Sequence, residues 1–425
     1  MQTTAFDASL GHTAGAVVNV ITKTGTNQFH GDLHEWFSHS ELDASTFFQN
    51  RAGEEKPIYQ DNLYGASLGG PVRLPKLYDG RNRTFFFYTW ESNQWVKPMP
   101  RVGTVPTASE KNGDFSAMLP LGPIYQIYDP LTTQTADRGR MSRQSLPRNL
   151  IPSSRMDAVA RKVIAFYREP NTIGTRDGLN NITHTNKDAQ DYSVHFARLD
   201  HNFSERNRMF LSLDYDKRTE TKERFFDNIA MGLNNMRANR GLALDDVLVL
   251  SPSSVLNLRY GLSRTEAPKS RVSSGKIDLA SLGFSSALTS LIDPARQAFP
   301  MVWLSTKATN SPCKGNCTGT FTGFGAPESG EGHSAGLIHN LAATLTRLRG
   351  KHNLRFGADL RAYRSFNAPL GYDVSPGLQF LPTFTRGPLD NSPVAPVGQE
   401  FAAFLLGIPE TVSASIVAAP AVHAA

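Results

Sequence analysis

The stretch Gly15–Gly31, GAVVNVITKTGTNQFHG, decides how the rest of the chain is read. It begins as an alternating run, with Val17, Asn19 and Ile21 on one side and Val18, Val20 and Thr22 on the other, the pattern of a buried strand. Lys23-Thr24-Gly25-Thr26-Asn27 then gathers turn formers. After them an aromatic-bearing strand is predicted from Phe29 through Trp36 and Phe37.

Outward from there, period two recurs along the chain. Gly31–Ser38 reads as a first strand and Asn62–Gly70 as a second, with Tyr64, Ala66 and Leu68 on one face and Gly65, Ser67 and Gly69 on the other. Arg83–Ser92 is a third, whose Phe85, Phe86, Phe87, Tyr88 and Trp90 suit either plain core or an aromatic girdle at a membrane interface. The clearest signal comes in hairpins. Gln190–Phe203 turns at Ser204-Glu205-Arg206-Asn207 into Arg208–Lys217, and Gly241–Leu250 turns at Ser251-Pro252-Ser253 into Ser254–Arg264. A third hairpin turns at Arg349-Gly350-Lys351-His352, and its second strand sets Leu354, Phe356, Ala358 and Leu360 against Asn353, Arg355, Gly357, Asp359 and Arg361. Gln399–Gly407 is apolar enough for a further strand, turned by Ile408-Pro409-Glu410. About ten strands are expected. One short loop helix is expected over Ser154–Arg168, capped by Ser153 or Ser154 and stopped by Pro170.

The connections are asymmetric. Turns of a few residues alternate with long segments, Gln94–Ala189, Thr219–Arg240, Glu266–His333 and Asn367–Val397. If the first strand runs outward, every long segment falls on one side of the sheet and every short turn on the other. That is the plan of a bacterial outer-membrane barrel, with short periplasmic turns and long extracellular loops. Composition agrees, because no run approaches the ~20 apolar residues of a membrane-spanning helix. In a bilayer this chain would have to cross as closed β structure. The fold class is therefore all-β: a partial antiparallel outer-membrane β-barrel, an open curved sheet with long loops.

Several segments in register resemble the Oar-like branch of the TonB-dependent outer-membrane receptors. They are the opening stretch, LYGASLGGPV at Leu63–Val72, DGRNRTFFFYTWES at Asp79–Ser92 and NLIPSSRMDAVARKVIAFY at Asn149–Tyr167. HFARLDHNFSERNRMFLSLDY at His195–Tyr215 and LRGKHNLRFGADLR at Leu348–Arg361 follow in the same order. The resemblance implies that residues 1–30 are the C-terminal remnant of a plug domain and residues 31–425 the N-terminal part of a transmembrane barrel. Its barrels use roughly 22 strands, so it implies a fragment, with export signal, TonB box and most of the plug upstream of Met1. It also implies residence in the outer membrane among its lipids, an unidentified ligand taken from the cell surface to the periplasm, and an inner-membrane TonB complex as partner. A surface-binding or adhesion barrel without gated transport and a truncated, non-functional reading frame are the alternatives.

Chemistry is sparse. Of the 425 residues, 44 are Lys or Arg and 38 are Asp or Glu, giving a formal net charge of +6 without a basic block, which argues against a nucleic-acid partner. Cys313 and Cys317 lack a second ligand pair at zinc spacing, and a small loop disulfide is expected. Gly332-His333-Ser334-Ala335-Gly336 fits the nucleophile elbow of α/β-hydrolases, but that motif needs a buried strand before it and a helix after it. Thr320–Glu331 supplies no such strand, although Leu337, Leu341, Leu345 and Leu348 have helical spacing. His34 with His39, and His195 with His201, lack a metal-site context. No catalytic residue, metal ligand or cofactor is assigned, the ligand-binding residues are unknown, and the chain is not expected to be an enzyme. The inward positions Arg198, Arg259, Arg355 and Arg361 suit either solvated lumen lining or contact with an anion or the plug.

Overall fold

The computed structural model describes residues 21–45, 47–52, 56, 58–306, 320–325, 331–371 and 375–414. The upstream half of the opening run, Val17 to Val20, lies outside them, as do Cys313 and Cys317. Nine antiparallel strands form one sheet in chain order: β1 His30–His39, β2 Gln60–Pro71, β3 Thr84–Gly103, β4 Ile182–Ser204, β5 Asn207–Lys222, β6 Leu233–Ser251, β7 Ser254–Arg271, β8 Glu331–Arg349 and β9 His352–Gly371. Each strand pairs with its chain neighbours, so the sheet is an open meander. Among the described residues no helix is long and apolar enough to cross a membrane.

Register separates the two faces. Phe86, Tyr88 and Trp90 on β3 stand with Leu199, Ala197 and His195 on β4, and then with Leu211, Leu213 and Tyr215 on β5. Across β6 to β9 the same face carries Leu242 and Leu244, Tyr260 and Leu262, Leu341, and Leu360. Many of these side chains are exposed, including Leu213, Leu341, Phe356 and Leu360. A face this apolar is stable only against hydrocarbon. Asp246 interrupts it near the Ser251–Ser254 turn, close to the membrane edge where charge costs little. The opposite face carries Arg198, Asp200, Asp245, Arg259, Asp359 and Arg361.

The strands run further than their alternation indicates. β3 has 20 residues and β4 has 23, whereas a tilted strand needs about 9–11 to cross the bilayer. Their surplus projects toward the long connections: Gln94–Ala189, Thr219–Arg240 and Glu266–His333 shrink to residues 104–181, 223–232 and 272–330, and residues 40–59 join them at the same rim. The connections at residues 72–83, 205–206, 252–253 and 350–351 lie at the other rim.

The hydrophobic core belongs to the long connections rather than to the sheet. Phe115, Phe225, Phe226, Phe299, Phe321, Phe324, Phe401 and Phe404 are buried in one cluster with Ile127, Val163, Tyr167 and Leu279. The helix expected over Ser154–Arg168 is shorter: α1 spans Ala158–Val163, between 3-10 turns at Ser153–Arg155 and Ile164–Phe166. Its cap is Asp157, not a serine, because that carboxylate accepts from Val159 N and Ala160 N. Gln399–Gly407 is not a tenth strand. Gln399–Leu405 forms a helix, α2, with every residue buried.

Candidate functional site

The site is built where the opening stretch meets the wall of the sheet. Ile21–Phe29 carries no strand, contrary to the alternation of Ile21 and Thr22 with the residues before them. It crosses the polar face of β2, β3 and β4 at the short-turn rim. Gly25 lies so close to the wall that a Cβ there would run into the carbonyl oxygens of Phe86 and Gly70. The wall is itself bare at this point. Gly69 points inward at Gly25, so the Gly65-Ser67-Gly69 face of β2 is the groove that admits the chain. Phe29 then crosses to the outer face, where its ring lies 6.3 Å from that of Phe86.

Polar contacts tie the segment down. Arg198 donates through Nη1 to Thr22 Oγ1 at 2.7 Å, and Thr24 Oγ1 donates to Asp200 Oδ2 at 2.7 Å. Arg198 and Asp200 are themselves an ion pair at 2.7 Å, so the two threonines straddle it. Asn82, in the turn before β3, donates its backbone N–H to Asn27 Oδ1 at 2.8 Å. The Arg198 guanidinium also lies 3.9 Å from the Phe210 ring. Beside the segment an open cleft of about 270 Å³ is lined by Lys23, His30, Asp32, Ser67 and Phe87. Asp32 accepts from the Ser67 hydroxyl and lies 2.9 Å from His34 Nδ1. Hydrogen bonds to charged groups are worth about 1.5–3 kcal/mol each, while Ile21 is 90% exposed and adds almost no apolar packing.

Two of the other inward arginines are neutralised locally. Arg259 Nε donates to Asp245 at 2.6 Å and Arg361 Nε to Asp359 at 2.8 Å. Arg355 shares that face opposite Thr346. The four arginines do not converge on one anion site. His39 accepts from Glu41 N and stays apart from His34. His195 bonds the Tyr88 hydroxyl and His201 that of Thr84, both on the outer face. No group of metal ligands forms among the described residues. Ser334 lies inside β8, where its hydroxyl donates to Asn367 at 3.0 Å, so there is neither a strand-to-helix turn nor an elbow.

At the other rim the long connections assemble into a cap. Tyr167 is buried among Phe226, Phe324 and Phe401, and its hydroxyl donates to Thr322 O at 2.6 Å. Arg155 grips Asp129 through both guanidinium nitrogens at 2.6 and 2.7 Å. Glu400 on α2 accepts from Thr320 Oγ1 at 3.1 Å, while its other oxygen is buried with no partner among the described residues. Burial pushes its carboxyl up to about 7. Arg155 and Tyr167 lie in the Asn149–Tyr167 segment of the resemblance, whereas Asp129, Thr320 and Glu400 belong to no motif. The signal available in the sequence was the density of phenylalanine in segments that a solvated loop would leave polar.

Residues 21–423 match the family model described as "Outer membrane beta barrel domain". The chain belongs to that family. An outer-membrane β-barrel accounts for the greasy outer face, the wet inner face and the division of short turns from long loops, and it places the protein in the outer membrane. A search of curated proteins returned no match. Among solved structures, the outer membrane transporter YddB from Escherichia coli aligns with a TM-score of 0.42 and 10% identity, covering 84% of this chain and 33% of that one. The chain thus spans about a third of the length of that transporter.

Proposed function

We propose that this outer-membrane barrel is part of a TonB-dependent, Oar-like receptor, which binds a ligand at the cell surface and admits it to the periplasm. In this proposal Ile21–Phe29 joins a lumen plug to the first barrel strand. The observation that carries it is the tether of Thr22 and Thr24 to the Arg198–Asp200 pair on the inner wall. A permanent partition would be sealed by apolar packing, whereas a plug moved on each transport cycle needs contacts that exchange with water at little cost. The cap presents the loops that would meet the ligand. Energy from an inner-membrane TonB complex is part of the same proposal and concerns the whole protein.

The test follows the tether in living cells. With Cys313→Ser and Cys317→Ser as background and expression from the native locus, Thr24→Cys is treated with a small hydrophilic maleimide. Labelling should rise in energised cells and fall when a protonophore is added or the TonB complex is removed. Labelling indifferent to both would overturn the proposal.

A further inference from the structure

The outer face of the sheet changes character abruptly on its way to the cap. Past Leu242 on β6 the next outward residue is Arg240, and past Leu262 on β7 it is Arg264. On β5 Tyr215 gives way to Lys217, and on β9 Leu360 and Ala362 give way to Arg364. Register aligns these positions: Arg240 lies opposite both Tyr215 and Arg264, and Leu337 lies between Arg264 and Arg364. Lys217, Arg240, Arg264 and Arg364 are exposed.

Like charges directly opposite one another destabilise a sheet. Glu266 relieves only part of this, with Arg264 Nη2 at 2.5 Å and Arg240 Nη1 at 3.9 Å. Arg364 and Lys217 form no ion pair among the described residues. Among the described residues the four cations share one ion-paired carboxylate, Glu266, with Asp191 one register step beyond Lys217, and they stand immediately above an apolar band set by Leu213, Leu242, Leu262 and Leu341. With the long connections outside the cell, as in bacterial outer-membrane barrels, the layer at that height is the headgroup region of the outer leaflet. Guanidinium groups recognise phosphate through paired N–H donors, and a lysine adds a point charge.

We propose that this belt binds the phosphate-bearing headgroup of an outer-leaflet lipid, whose acyl chains lie along the apolar band beneath. The cross-strand repulsion is then relieved by the bound phosphate. The site is on the outside of the barrel and is independent of the plug tether and of transport.

The protein is purified in mild detergent from its own outer membrane, and retained phosphate-bearing lipid is measured by native mass spectrometry. Combining Arg240→Gln, Arg264→Gln and Arg364→Gln should cut retained lipid about tenfold or more. Replacing the same three by lysine should keep most of it, and Lys351→Gln in a short turn should change nothing. Should the triple glutamine variant fail to reach the membrane, Arg364→Gln alone is measured, with a loss of about threefold expected. Full retention in the glutamine variants, an equal loss with Lys351→Gln, or displacement by inorganic phosphate would each overturn the assignment.

Discussion

Glu400 is a fully buried carboxyl that accepts from the Thr320 hydroxyl. Its folded-state pKa is raised to about 7 by burial, so the folded cap holds a proton that the unfolded chain releases at lower pH. Stability from this group is complete below the unfolded value near 4.5, declines as pH rises from there through about 7, and is then level. The span corresponds to about 3 kcal/mol as an upper figure. Hydrogen exchange of the Phe401–Leu405 amides, corrected for intrinsic rates, should therefore show weaker protection at pH 8 than at pH 5. Glu400→Gln should remove most of that difference. A difference that persists in the glutamine variant would exclude Glu400 as its source.

At the scale of elements, α2 and α1 hold each other. Asp157 caps α1 through Val159 N and Ala160 N, while its own backbone N–H donates to Leu405 O at the end of α2. Asp157→Ala should cost about 1 kcal/mol. The same exchange experiment should show the loss in α2 as well as in α1, and loss confined to α1 would refute the coupling. The sequence showed α2 as a strand for a physical reason. A short apolar run buried on every side has no period, and Gly398 and Gly407, both at positive φ, bound it like turn residues of either element. The barrel strands were legible because hydrocarbon on one side and water on the other impose alternation. Their upper halves were not, since there polar residues occupy both faces and the apolar alternation disappears, as in Asn186-Lys187-Asp188 of β4. β3 accommodates Pro98 and Pro100 because they lie beyond Val96, the last residue paired to β2, where one edge has no ladder to break. The tether of the opening stretch was half legible: Arg198 stood out as inward, but no period or spacing pointed Thr22 to it or Thr24 to Asp200.

For the whole molecule, the division of the connections sets the orientation. Nine strands in a meander send residues 40–59, 104–181, 223–232 and 272–330 to one rim and the tight turns to the other. The buried aromatic cluster joins the long segments into a cap, so that rim has a folded body and the other has only turns and the Ile21–Phe29 entry. Outer-membrane barrels keep long loops outside the cell, because short turns are what the periplasmic side presents. Ile173, which is 97% exposed in the cap, should then face the medium, and Ser253 in the β6–β7 turn should face the periplasm. In the Cys313→Ser, Cys317→Ser background, a maleimide too large for outer-membrane pores should label Ile173→Cys on intact cells. It should reach Ser253→Cys only after the outer membrane is permeabilised. The reverse pattern would invert the barrel and place the cationic belt in the inner leaflet, and labelling of both sites on intact cells would mean that the sheet does not span the membrane at all.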